Sequence, residues 1–285
     1  MTVRVVTDST ADLPAKVIQE WGITVIPLCV NFGTEVYRDG ADLQPDEFYR
    51  KLVSSSILPT TSVPPPGIFT EVYEKLSRDG AEVVSIHISS KLSGTYDCAR
   101  LAAKELGNKR VEIIDSLAVS MGLGLLIIAA ARVAQTGASL EEVTALVRRA
   151  MKRCYLVGLL DTLEYLQKGG RIGRAQSFLG QVLNIKPVLT VRDGEVHPRE
   201  RVRPRRHALN RLCQLALAHQ PFEEVAILHS AAPQEAELVA EQLAPAFPRE
   251  RMQLAQFGPV LGTHIGPGAV GIAVLQQSAK GSNDA

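Results

Sequence analysis

Short apolar runs alternate with helix-like segments through the first half of the chain, and no other feature restricts its fold as tightly. Residues 3–6, 23–30, 83–88 and 111–115 read as strands. Residues 13–21, 44–53, 68–76, 96–106, 118–135 and 140–149 read as helices, the last opened by Ser139 with Glu142 three residues on. Strands that follow helices in this order pair in parallel and need helices on both faces. Residues 1–150 are therefore expected to form an α/β/α domain around a parallel sheet. Ligands of such sheets bind beyond the carboxyl ends of the strands. Three polar loops fall there, at Thr7-Asp8-Ser9-Thr10, Ser89-Ser90 and Asp115-Ser116.

Residues 151–285 read differently. Apolar stretches at 186–191 and 195–203 flank Arg192-Asp193-Gly194, a hairpin signal. Further strands are expected at 155–160, 225–229, 252–257 and 270–275, with helices at 161–167, 176–183, 204–219 and 234–243. Hairpins mixed with helices predict an α+β domain of two layers on a mostly antiparallel sheet, so the whole is an α/β protein. A length of 285 residues, 46% of them hydrophobic, is enough to build two such cores.

A formal net charge of +1 gives no bulk attraction to nucleic acid or an anionic membrane. Cys29, Cys98, Cys154 and Cys213 are far apart and form no C-x-x-C, which predicts neither a zinc site nor a disulfide framework. A reduced, cytoplasmic protein is expected. The start of the chain is already strand-like, so no signal peptide is read there. The longest uncharged run, residues 116–131, is short for a membrane span and contains Gly122 and Gly124. It reads as a buried helix, and no stable membrane anchor is expected.

Four constellations carry chemistry. Ser89-Ser90-Lys91-Leu92-Ser93-Gly94-Thr95 joins a strand to a helix. Unpaired N–H groups at a helix start, joined by hydroxyl donors, suit a carboxylate or phosphate; the plainer alternative is that Ser93 only caps the helix. Thr60-Thr61-Ser62, stiffened by Pro64-Pro65-Pro66, is either a second set of neutral donors or an ordinary turn. Gly170-Arg171-Ile172-Gly173-Arg174 offers guanidinium groups, which fit carboxylate and phosphate geometry or simply keep a surface soluble. Arg199, Arg201, Arg203 and Arg205 alternate, which on a strand puts them on one face, with Pro204 as a possible break before Arg205. Such a row suits an acidic protein, a phosphorylated ligand, nucleic acid or plain solvent; no aromatic residues interleave to stack bases.

Gly266-Pro267-Gly268-Ala269-Val270-Gly271 matches G-x-G-x-x-G in spacing, but no following βαβ unit fits before the chain ends. Its glycines instead allow close backbone approach, and His264 just before them is a candidate site residue. No G-x-S-x-G, H-E-x-x-H or P-loop is present. No pair of acidic groups assembles for acid–base work, although Asp8 is placed to orient hydroxyls. The sequence reads as built to hold an anion more than to transform one.

Five motifs occur in order: Val6-Thr7-Asp8-Ser9-Thr10-Ala11-Asp12-Leu13-Pro14, Pro59-Thr60-Thr61-Ser62, Ser89-Ser90-Lys91-Leu92-Ser93-Gly94-Thr95-Tyr96, Lys168-Gly169-Gly170-Arg171-Ile172 and Thr263-His264-Ile265-Gly266-Pro267-Gly268. Together they closely resemble the DegV family of bacterial fatty-acid-binding proteins, over nearly the whole chain. The resemblance implies two α/β domains with a long-chain fatty acid, such as palmitate, stearate or oleate, buried between them. It implies a carboxylate held by hydroxyls matching Thr61 or Ser62 and Ser93, with His264 and Arg171 near the head group. It further implies a carrier, not an enzyme, that uses no cofactor or metal and presents its ligand to a separate fatty acid kinase for acyl-phosphate formation. The arginine row, Arg201 and Arg203 in particular, then becomes a dock for that kinase. The chain departs from the family at Val63 and Pro65 or Pro66, where Gln and Ser are frequent, and at Asp97-Cys98, where Gln-Ser is frequent. The uncharged helix is either plain core or a wall of the ligand tunnel. The rival reading is an enzyme acting on a phosphorylated small molecule, with the two hydroxyl loops and Arg171 as its phosphate cradle. Nucleic-acid binding through the arginine row is a third, opposed by the near-neutral charge.

Overall fold

The computed structural model describes residues 2–107, 110–179 and 185–278. The first half runs β1 (Val3–Asp8), α1 (Ala15–Trp21), β2 (Thr24–Ile26), β3 (Cys29–Phe32), β4 (Glu35–Arg38), α2 (Pro45–Ser54), β5 (Thr60–Ser62), α3 (Pro66–Leu76), β6 (Glu82–His87), α4 (Thr95–Glu105), β7 (Val111–Asp115), α5 (Met121–Gln135) and α6 (Leu140–Met151). The second half runs β8 (Cys154–Leu159), α7 (Glu164–Lys168), β9 (Lys186–Arg192), β10 (Glu195–Val202), α8 (Arg205–Leu217), β11 (Phe222–His229), α9 (Pro233–Leu243), β12 (Gln253–Gln256), α10 (Pro259–Ile265) and β13 (Val270–Gln276).

The first sheet has the order β2-β1-β6-β7 and is parallel throughout, as its alternation with helices requires. The second has the order β10-β9-β8-β13-β11-β12 and is antiparallel except where β11 meets β12. A third, small antiparallel sheet has the order β4-β3-β5. The protein is thus α/β, with a parallel sheet in its first half and a separate mixed sheet in its second.

α5 joins the two large sheets. It packs against β1 and β6 of the first and against β8, β11 and β13 of the second. Leu123, Leu125, Leu126 and Ile127 are completely buried on its successive faces, which is why the run carries no charge and no amphipathic stripe. Each such side chain contributes about 2 kcal/mol by leaving water. Gly124 permits the close approach at the helix start: a Cβ there would lie 2.8 Å from the carbonyl oxygen of Ala11. The outer face of the first sheet is covered by α3 and α4, and that of the second by α8 and α9. α6 opens with the capping box read from Ser139 and Glu142.

Several elements differ from the sequence reading. The single strand expected over 23–30 is two, in different sheets. Pro27 separates them, because proline cannot donate to a ladder. The sequence reading assigns no element to residues 35–38 and a turn or hydroxyl set to Thr60–Ser62, where the structure has β4 and β5; both are short, and among the described residues β5 pairs with β3 alone, contributing Thr60–Ser62 as an edge. Where a helix was expected over 176–183, Gly173–Phe178 is a 3-10 turn, and residues 180–183 lie outside the described residues. α10 was not foreseen at all.

The alternating arginines do not form one row. The register of β10 slips between Pro198 and Glu200, which leaves Arg199 as the extra residue of a bulge. Arg201 lies over the Phe178 ring, 4.2 Å from its centroid, and donates to the Ser177 carbonyl at 3.0 Å. Arg203 is exposed. Arg205 has left the strand for the first turn of α8, where it pairs with Glu235 and Asp161.

Candidate functional site

An apolar cavity runs between the carboxyl-terminal rim of the parallel sheet, the small sheet, α10 and the inner face of the second sheet. The cavity and its mouth hold about 1020 Å³ of atom-free space. Its walls are largely aliphatic, with Leu28, Ile88, Leu160 and Leu189 among them. Thr61, Ser62, Ser93, Arg171 and His264 all line it, brought together from four separate stretches of chain.

β5 delivers Thr61. Successive residues of a strand point to opposite faces, and Thr61 faces α10, where its Oγ1 lies 3.1 Å from Nε2 of His264. Ser62 also borders the cavity, but its hydroxyl accepts from Nδ2 of Asn31 at 3.4 Å across the small sheet. Ser93 precedes the N-cap residue of α4, Gly94. Its Oγ sits 2.8 Å from Oγ1 of Thr95 and accepts weakly from the Thr95 N–H at 3.4 Å. Arg171 is anchored by two carbonyls, Leu92 at 3.2 Å from Nε and Gly169 at 2.9 Å from Nη1. The first of these bonds ties the basic turn of the second half to the hydroxyl loop of the first.

His264 is buried against Gly169, whose missing side chain makes room for the ring: any Cβ at residue 169 would collide with Nδ1. Among the described residues Nδ1 itself has no hydrogen-bond partner. Burial, reinforced by the neighbouring Arg171 guanidinium, pushes His264 down to about 4. The imidazole is therefore neutral at physiological pH, and the site offers one fixed cation, one neutral ring and several hydroxyls. Such a set is chemically suited to an anion and needs no buried countercharge beside it.

The first polar loop supports this wall from behind. Asp8 is completely buried and accepts from the N–H groups of Thr10 and Ile88, each at 3.1 Å, and from the Thr10 hydroxyl. The same carboxylate lies 2.9 Å from Nδ1 of His87, whose Nε2 is 2.7 Å from the Ser85 hydroxyl; Tyr73 donates to that hydroxyl at 2.9 Å. This Ser85–His87–Asp8 chain resembles a catalytic relay in its connectivity, and the sequence reading missed it. Ser85 and His87 do not border the cavity, and all three groups are sealed from solvent. Alternation in the strand was the available signal, since Ser85 and His87 share one face of β6.

Two further hydroxyl residues border the cavity, Thr10 and Ser120, and each spends its hydroxyl on a carboxylate, Asp8 and Asp12 respectively. Asp12, turned by a left-handed backbone (φ 52°), accepts from Ser120 at 2.6 Å and from the Gly258 N–H at 2.9 Å. Burial raises the Asp12 carboxyl well above its usual range. Asp39, at the end of the small sheet, is also buried and is raised to about 7 by burial, against the bonds from Ser9 and the Val260 N–H. Both carboxyls thus grip the start of α10, the helix that carries His264. Among the described residues, no group of three or more His, Cys, Asp or Glu side chains is placed to hold a metal ion. No helix among them is long and apolar enough to cross a membrane.

Fold and site together define an α/β protein with an internal apolar cavity whose polar lining gathers hydroxyl, imidazole and guanidinium groups. The chain belongs to the DegV family, whose model, described as an uncharacterised-protein family, matches residues 2–277. A DegV domain-containing protein of Streptomyces coelicolor is 37% identical over 278 residues, covering 95% of this chain and 98% of the relative. Protein DegV of Bacillus subtilis is 35% identical over 277 residues, with 95% and 98% covered. Among solved structures, a DegV family protein from Thermus thermophilus, described by its fatty acid binding, superposes with a TM-score of 0.91 at 36% identity over 97% of this chain and all of that one. The fatty acid binding protein DegV of Bacillus subtilis gives 0.87 at 34% identity, covering 96% and 99%. A stearic acid-binding protein of Eubacterium ventriosum gives 0.88 at 26% identity, covering 96% and 98%.

Proposed function

We propose that this protein carries one long-chain fatty acid, of the palmitate, stearate or oleate class, with its tail in the apolar cavity and its carboxylate at the hydroxyl cluster. The observation that carries this reading is the meeting of Thr61, Ser93, Arg171 and His264 on one apolar cavity. The fatty acid binding of the solved relatives supports it. Burying the tail releases about 0.8 kcal/mol per methylene, so a sixteen-carbon chain supplies roughly 12 kcal/mol before ordering costs. An unpaired buried carboxylate would cancel much of that. Thr61 and Ser93 donate to it, with Ser62 at the rim. Arg171 supplies the nearby charge, and His264 fixes the Thr61 hydroxyl.

On this reading residues 1–150 and 151–285 are two lobes closed on the ligand, and the protein is a cytoplasmic carrier without catalytic activity of its own. Neutral donors leave a carboxylate oxygen nucleophilic enough to attack a phosphorus atom. We therefore assign a separate fatty acid kinase as partner, docked near Arg201 and Arg203. Mass spectrometry of lipid extracted from the purified protein tests the first claim, with recovery of stoichiometric fatty acid as the expected result. Turnover of a phosphorylated small molecule with no lipid recovered would replace this reading with an enzymatic one.

A further inference from the structure

Ser230 follows β11 and is completely buried, yet it does not border the cavity. Its N–H, carbonyl and hydroxyl all bond to one turn, residues 266–269. The N–H donates to the Ala269 carbonyl at 2.9 Å, and the carbonyl accepts from the Gly268 N–H at 2.7 Å. Those two bonds continue the β11–β13 ladder. The hydroxyl adds what a ladder cannot: it donates to the Gly266 carbonyl at 2.8 Å and accepts from the Ala269 N–H at 2.7 Å. Tyr49, which donates to the Phe257 carbonyl at 3.0 Å, is its other polar neighbour.

Gly266 ends α10, two residues after His264, in a backbone conformation (φ 70°, ψ −177°) open essentially to glycine alone. α10 is not self-supporting. It has seven residues, too few for a helix to stand alone, and Gly262 sits inside it. Asp12 fastens its start through the Gly258 N–H. Ser230 fastens its end. Among the described residues the His264 ring hydrogen-bonds to Thr61 alone, so its place is set by the helix and by packing. α7 supplies one wall of that packing, with the Tyr165 ring against Gly266 and Gly169 against the imidazole.

We propose that Ser230 is a positioning residue for carboxylate recognition: its hydroxyl fixes the end of α10, and through it the His264 imidazole that orients the Thr61 hydroxyl. This rests on the fatty-acid reading above and deepens it. A hydroxyl is the group required, because a single atom must both donate to a carbonyl and accept from an N–H. Ser230→Ala keeps the two ladder bonds and releases Gly266, which loosens the turn without removing it.

The test compares stearate with octadecanol, which has the same tail and no charge, by displacement of parinaric acid from the delipidated full-length protein. A charged acceptor gains more from a well-placed hydroxyl than a neutral one does. Wild type is expected to prefer stearate, and Ser230→Ala to reduce that preference about tenfold. A merely structural role would weaken both ligands equally, and an unmoved ratio overturns this proposal alone. In a His264→Ala background, Ser230→Ala is expected to change the ratio no further. A second fall of the same size there would show an action not routed through the histidine and overturns the proposal. Hydrogen exchange in lipid-free wild type needs no variant to fold: the Gly268 and Ala269 amides are expected to be protected, and free exchange at both overturns the proposal. A wild type with no preference for stearate would overturn the head-group reading and this one with it.

Discussion

Thr61 Oγ1 and His264 Nε2 meet at 3.1 Å although 203 residues separate them in sequence. One belongs to an edge strand of a three-stranded sheet and the other to a seven-residue helix, so neither is held by its own element alone. The contact positions the threonine hydroxyl over the cavity. A hydrogen bond from a neutral donor to a charged acceptor contributes about 1.5–3 kcal/mol. Thr61→Ala and Ser93→Ala should therefore each weaken fatty acid binding by roughly ten- to a hundredfold. The double variant should purify without stoichiometric lipid. Full occupancy in the double variant, read by mass spectrometry, would show that the head group sits elsewhere.

Two buried groups make stability depend on pH in opposite senses. His264 is lowered from 6.5 to about 4, so between those values the unfolded chain takes up a proton that the folded one refuses. Its contribution is present above 6.5 and is lost as pH falls toward 4. Asp39 is raised from 3.8 to about 7, so its protonated form favours the folded state. That contribution is present below 3.8 and is lost as pH rises through 7. Each shift corresponds to roughly 3–4 kcal/mol at most. In the wild-type protein the rise from the histidine between pH 4 and 7 is opposed by the fall from Asp39 and from Asp12, whose carboxyl burial also raises. Asp39→Asn removes one of the two buried carboxyls that oppose the histidine, Asp12 being the other, so relative to wild type its stability should gain with pH across that window. Urea unfolding of both proteins at pH 5 and pH 7.5 measures the difference, and parallel curves would count against a buried, proton-holding Asp39.

The parallel sheet was legible because its strands are buried on both faces and its helices carry caps and apolar periodicity, as at Ser139 and Glu142. The mixed sheet was legible from the Asp193-Gly194 turn and the runs around it. The small sheet was not. Its strands are three or four residues long, and Val36 and Thr60 sit exposed, so no periodic signal separates them from loop. α10 was hidden by its glycines: Gly262 is tolerated within it because Phe48 and Tyr49 pack where a side chain would go. The site residues Thr61, Ser62, Ser93, Arg171 and His264 could be named from local chemistry and family likeness. Their partners could not, since Asn31, Gly169 and Leu92 reach them only through tertiary packing. The arginine row failed for a local reason, a one-residue bulge that period-two counting cannot see.

The Ser85–His87–Asp8 chain yields a prediction that separates stability from binding. Ser85 is completely buried and touches His87 on one side and Tyr73 on the other. Ser85→Ala removes the shared partner and strands an imidazole nitrogen and a phenol. Leaving two buried polar groups unpaired costs about 2–4 kcal/mol. Thermal unfolding should register this as a clear drop in Tm, while the lipid-to-protein ratio stays that of wild type. A variant that keeps its stability but loses its lipid would place the relay in the binding site after all.

Arg203 offers the sharpest test of partner docking. It is exposed, follows the last strand residue of β10 and lies outside the cavity wall. Arg201 is less simple, because its guanidinium also stacks on Phe178 and holds the Ser177 carbonyl, so its removal would disturb the turn that follows Arg171. Charge reversal at a rim position acts chiefly on the rate of encounter and on its salt dependence. Arg203→Glu should leave fatty acid occupancy unchanged and lower kinase-dependent acyl-phosphate formation about tenfold at low ionic strength, with the deficit shrinking as salt screens the surface. An equal deficit at every salt concentration would mean that Arg203 makes a buried contact in the complex. No deficit at all would move the kinase to another face of the protein.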